Sequence, residues 1–118
     1  MTANTELIAE LADKLADYCE AGFMVDGRAV SSEEMGEFYY ALKKARAFAT
    51  MRKADSERPS YREFVLMLDQ YSAFVHSADL YRIEGNRDAA RLAALKDQHE
   101  AVEAAAARIR AELRSESH

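Results

Sequence analysis

Three histidines, one cysteine and twenty-one carboxylates are the side chains here with chemistry to offer, and spacing decides which could cooperate. Di-metal helical bundles hold their ions with Glu-x-x-His pairs projecting inward. The residue three before His76 is Ala73, and the one three before His99 is Lys96, so that motif is absent. His76-x-x-Asp79 and His99-x-x-x-Glu103 have helical spacings compatible with ligands. Such pairs are readily met by chance, and solvated or hydrogen-bonded side chains are the simpler reading. No metal or other cofactor is expected. Cys19 stands between Asp17 and Glu20, whose charges disfavour a reactive thiolate, and it reads as a residue on the flank of its helix. The four glycines are isolated, so no phosphate-cradling loop is present. A non-enzymatic protein is the expectation.

Charge is more informative than nucleophiles. The net charge of −5 is unevenly placed: residues 1–40 carry −7, residues 41–62 carry +5 and the remainder −3. Glu6, Glu10, Asp13, Asp17 and Glu20 recur at spacings of four and three, which draws a carboxylate stripe along one face of a helix. Like charges so spaced cost about 0.2–0.5 kcal/mol per pair, relieved in part by Lys14. A solvated face accounts for such a stripe, and so does docking into a basic groove, as when an acidic protein competes with nucleic acid for its site. Lys43, Lys44, Arg46, Arg52, Lys53, Arg58 and Arg62 form the basic segment, with Tyr40, Phe48 and Met51 interleaved. The helix macrodipole accounts for several of these cations. The overall sign argues against generic nucleic-acid binding, and contact with an acidic protein surface suits the segment better.

The elements that must position these residues are written in four apolar series: Ile8-Leu11-Leu15-Tyr18, Met35-Phe38-Leu42-Ala45-Ala49, Tyr61-Phe64-Leu68-Tyr71-Val75-Ala78, and Leu92-Leu95-His99-Val102-Ala106-Ile109-Leu113. Alternating steps of three and four keep one face of a helix apolar, and such a face must pack against another. His99 falls inside the last series, which makes it a core histidine bonded to a tyrosine, carboxylate or carbonyl. The alternatives are a register-setting polar residue and a pH-sensitive contact.

Punctuation agrees with the periodicity. Gly22 suits a left-handed helix end. Ser31-Ser32-Glu33-Glu34 and Ser60-Tyr61-Arg62-Glu63 read as capping boxes, the second just after Pro59. Gly85-Asn86 suits an end followed by an Asn cap. Helices are therefore expected near 4–21, 32–55, 60–84 and 87–114, with Phe23, Met24 and Val30 covering one end of the core and a short hairpin possible at Asp26-Gly27. Short connections favour antiparallel neighbours. The expected fold is all-α, one domain over residues 1–118, a four-helix up-down-up-down bundle with a long C-terminal helix.

Two surfaces are left over. The third helix carries Leu66, Ala73 and Leu80 at intervals of seven away from its core series, and Met67, Phe74 and Tyr81 widen its apolar arc. The fourth helix is longer than the first, so its last turns, with Ile109 and Leu113, are expected to overhang. Together these five residues form an expected homodimer contact.

With one cysteine, no apolar run of membrane-spanning length and no basic-then-apolar leader pattern at the N-terminus, a cytoplasmic location is expected. The reading is an inhibitor or regulator that binds another protein with a basic surface through its acidic first helix, as would suit a bacteriophage or mobile element. An adaptor or assembly chaperone using the third helix is the alternative, and a ligand- or metal-sensing bundle is the third.

Overall fold

The computed structural model describes residues 2–23, 31–84 and 89–116, with the side chains of residues 2–6, 21–23, 55, 84 and 89 left aside. The described residues form four α-helices, α1 (Thr2–Phe23), α2 (Ser32–Met51), α3 (Pro59–Glu84) and α4 (Ala89–Glu116), with a single 3-10 turn at Lys53–Asp55. The all-α reading holds. Phe23, Met24 and Val30, the hairpin at Asp26-Gly27 and the Gly85-Asn86 cap lie outside what is described. Gly22 does not end α1, which continues through Phe23.

Two helix starts show how local sequence and tertiary contact share the work. At α2 the capping box forms as written: the Ser31 hydroxyl accepts from the Glu34 amide at 3.1 Å, and the Ser31 amide donates to Glu34 Oε1 at 2.9 Å. At α3 the expected box does not form. The helix begins one residue earlier, with Pro59 in the first turn, where its missing N–H costs nothing. The Arg58 carbonyl then accepts the first helical bond, from the Arg62 amide at 3.1 Å. Ser60 lies inside the helix, fully buried, and its amide and hydroxyl donate to the two Glu116 carboxylate oxygens at 2.9 and 2.8 Å. Glu63 is drawn away to Arg108 at 2.9 Å. The last turn of α4 thus caps the first turn of α3.

Cross-helix contacts run in opposite sequence order between chain neighbours. Tyr71 donates to the Phe38 carbonyl at 2.9 Å and Tyr61 to that of Ala49, which pairs α2 with α3. Ser60–Glu116 and Glu63–Arg108 pair α3 with α4. Helix α3 also packs on α1, so it touches all three of the others. That position explains its composition. Tyr61, Phe64, Met67, Leu68, Tyr71, Phe74, Val75, Ala78 and Tyr81 are all buried. Met67, Phe74 and Tyr81, expected to widen the exposed apolar arc, are thus consumed by the chain's own core.

The same geometry corrects the expected overhang. Ile109 is fully buried and Leu113 nearly so, because the C-terminal turns of α4 lie alongside the first turns of α3. They are core residues and are removed from the dimer contact. On α1 the core line is Ile8, Ala12, Leu15 and Cys19. Leu11 and Tyr18 are only partly buried.

Candidate functional site

The acidic stripe of α1 is exposed along most of its length. Glu10, Asp17 and Glu20 are exposed and make no ion pair with any described residue. Asp13 is bound by Arg110 of α4, with both side chains about half exposed, so the pair is worth at most about 1 kcal/mol. Asp13 and Asp17 line an open depression between α1 and α4 together with Ala16, Glu103, Ala106 and Arg110. The side chain of Glu6 lies outside the described ones. The structure therefore brings Asp13 and Asp17 together with Glu103, a contributor from α4 that sequence spacing within α1 could not reveal.

Leu66, Ala73 and Leu80 remain exposed on α3, Leu66 at 54% and Leu80 at 39%. Ile83, at 64%, lies one turn beyond Leu80 and extends the row. Three of the five proposed contact residues thus stay at the surface.

Cys19 lies in the core and Asp79 is held by neighbouring side chains. Cys19 is buried, and burial first, then the Glu103 charge, pushes its thiol well above the ordinary value. The direction is the one expected from the sequence, but Cys19 lies in the core rather than on the flank of α1, and burial rather than Asp17 and Glu20 is the main cause. Tyr71 is fully buried against the Phe38 carbonyl, and burial raises its phenol in the same way. The two His–carboxylate spacings have different outcomes. Asp79 is taken by Tyr39 at 3.0 Å and by Arg82 at 2.8 Å, and His76 is exposed. His99, mostly buried, places Nε2 3.3 Å from Glu103 Oε1. Among the described residues no group of three or more His, Cys, Asp or Glu side chains could hold a metal ion.

The basic segment is partly woven into the fold. Arg52 stacks over Phe48, 5.7 Å from the ring centroid, and Arg62 reaches Glu57 at 3.3 Å. Arg46 donates to Ser72 across α2 and α3 at 3.4 Å. Lys44 lies over the Tyr40 ring, 5.5 Å from its centroid. Phe48 is buried, whereas Tyr40 and Met51 are among the most exposed apolar side chains described.

Tyr40 and Lys44 also belong to a feature that no motif announced. Between α1 and α2 a cleft of about 170 Å³ is lined by Leu11, Lys14, Leu15, Tyr18, Tyr40, Ala41 and Lys44. It exists because the α1 core line uses Ala12 and Cys19, which leaves Leu11 and Tyr18 at the margin. Tyr18, one of its lining residues, also makes a tilted contact with Phe38, 5.4 Å between centroids.

No family model, curated protein or solved structure matches this chain. No helix among the described residues is long and apolar enough to cross a membrane.

Proposed function

We propose that this chain is a non-enzymatic binding protein, an inhibitor or regulator whose acidic α1 face docks into a basic site of a larger protein assembly. The observation that carries the reading is the row of Glu10, Asp17 and Glu20, exposed and without ion-pair partners among the described residues. Repulsion within the row is a standing cost of folding, and a basic partner surface would remove it while excluding competing polyanions from the same site. Arg110 neutralises only Asp13, so most of the stripe is available.

The test replaces Glu10 and Glu20 with Gln and Asp17 with Asn, sparing Asp13 because of its bond to Arg110. Original and triple variant serve as parallel baits in native extract across a salt series. The original should retain a partner with a basic surface at low salt and release it as salt rises, whereas the variant should retain little. Equal retention of the same partner by both baits defeats the proposal.

A second reading rests on α3. Leu66, Ala73, Leu80 and Ile83 form an exposed apolar row on the helix that organises the core. This surface supports a homodimer contact, or an adaptor or assembly role in which another subunit covers it.

A further inference from the structure

The cleft between α1 and α2 lies between two rows of side chains that continue beyond it along each helix. On α1, Leu7, Leu11, Lys14 and Tyr18 follow one another at steps of four, three and four. On α2, Tyr40, Lys44, Ala47 and Met51 repeat the same steps. Each row keeps to one helix face. Helix α3 runs antiparallel to α2 and α4, and Asp13–Arg110 with Cys19 beside Glu103 makes α1 antiparallel to α4. Helices α1 and α2 therefore run in opposite directions, with Leu7 and Met51 toward one end and the two tyrosines toward the other. The rows extend about 16 Å, or three helical turns. Leu7 is 38% exposed, Tyr40 62% and Met51 77%. Such a surface is apolar at both ends and has a depression at its centre.

Size and charge then select the occupant. A cavity of about 150 Å³ takes one benzene ring, so the central depression takes one bulky apolar side chain and is too small for a nucleotide or a drug-sized ligand. Lys14 and Lys44 face it from opposite walls, and no carboxylate lines it. Neither lysine is ion-paired among the described residues, and Glu10 and Asp17, each one turn from Lys14 along α1, do not line the depression. We infer that this groove binds an acidic amphipathic helix of another protein. The helix lays an apolar stripe of about three turns between the two rows, seats one aromatic or leucine side chain in the central depression, and presents a carboxylate on each flank to Lys14 and Lys44. The cleft adjoins the acidic stripe along α1, and its own lining carries lysines and no carboxylate.

The probe is a fluorescein-labelled synthetic helical peptide of about four turns, with a central Phe, a Leu one turn to either side, and Glu on both flanks. Its control carries Lys in place of every flanking Glu. Fluorescence anisotropy should show the Glu peptide binding at least tenfold more tightly than the Lys peptide, with amide shifts centred on residues 11–18 and 40–44. Replacing Lys14 and Lys44 with Glu changes two side chains on helix surfaces, and circular dichroism checks that the variant is folded. It should reverse the preference. The triple variant of Glu10, Asp17 and Glu20 should bind the Glu peptide at least as tightly as the original does, since carboxylates near Lys14 are removed, which separates this groove from the docking face proposed above. Absence of binding at millimolar peptide, equal binding of both peptides, or amide shifts elsewhere would overturn the inference.

Discussion

Removing the Glu116 carboxylate should loosen the protein from the last residue of α4. In Glu116→Ala the buried Ser60 amide and hydroxyl lose their acceptors, now at 2.9 and 2.8 Å. A hydrogen bond to a charged acceptor contributes about 1.5–3 kcal/mol, and a carboxylate at a helix N-terminus adds about 0.3–1 kcal/mol through the dipole. Two things reduce the sum. Glu116 is itself only half-buried, so water can reach part of the vacated space. A carboxylate at the C-terminus of α4 also opposes that helix's own dipole, and its removal returns a few tenths of a kcal/mol. A net loss of about 2 kcal/mol follows, which for a chain of this size lowers Tm by roughly 6–8 °C. Calorimetry on Glu116→Ala, Ser60→Ala and the double variant gives the coupling, expected near 1 kcal/mol because Ser60→Ala keeps its amide. A Glu116→Ala melt within about 1 °C of the original, or fully additive losses, would refute the cap.

Gly36 lies in the exposed face of α2 with open space where a Cβ would stand, so Gly36→Ala should raise stability by about 0.5–1 kcal/mol in denaturant titration. Cys19 should resist alkylation in the native protein and react only as the chain unfolds. Its folded thiol is held neutral above the ordinary value of 9.0, so stability is full below about pH 9 and falls as pH rises beyond it, at up to about 1.4 kcal/mol per pH unit. Cys19→Ala should lessen that alkaline decline in melts at pH 7, 9 and 10. If α3 mediates self-association, sedimentation should give a dimer for the original and a folded monomer for Leu66→Lys/Leu80→Lys. Each leucine removed from the contact forfeits about 1.5–3 kcal/mol. A monomeric original at high micromolar concentration would end that reading.

The fold was legible where one face of a helix could be read without knowing its neighbours. Every member of the α2 series, Met35 to Ala49, is buried, and so is every member of the α3 series, Tyr61 to Ala78. The Ser31 cap was legible because all its partners lie within three residues. Ser60 was misread for the opposite reason. Its partner is 56 residues away, and a Ser followed three residues later by Glu looks the same whether or not another helix intervenes. The overhang of α4 was a length argument that took α1 as the reference. The relevant neighbour is α3, at 26 residues against 28, and Ile109 and Leu113 are buried against it.

On α1 the misreading bears on function. Periodicity allowed either Leu11 and Tyr18 or Ala12 and Cys19 to complete the core line with Ile8 and Leu15, and hydrophobicity favoured the larger pair. The folded helix buries the smaller pair fully. Small side chains let helices approach closely, whereas a leucine and a tyrosine at the same positions would hold α1 away from its neighbours. Choosing small residues for contact leaves the large ones at the rim, where they face α2 across Lys14 and Lys44. Sequence pattern can therefore name the apolar face of a helix without telling which of its edges is used for packing. On α1 the edge that packing leaves unused is apolar and lined by cations, and it is this edge that forms one wall of the cleft.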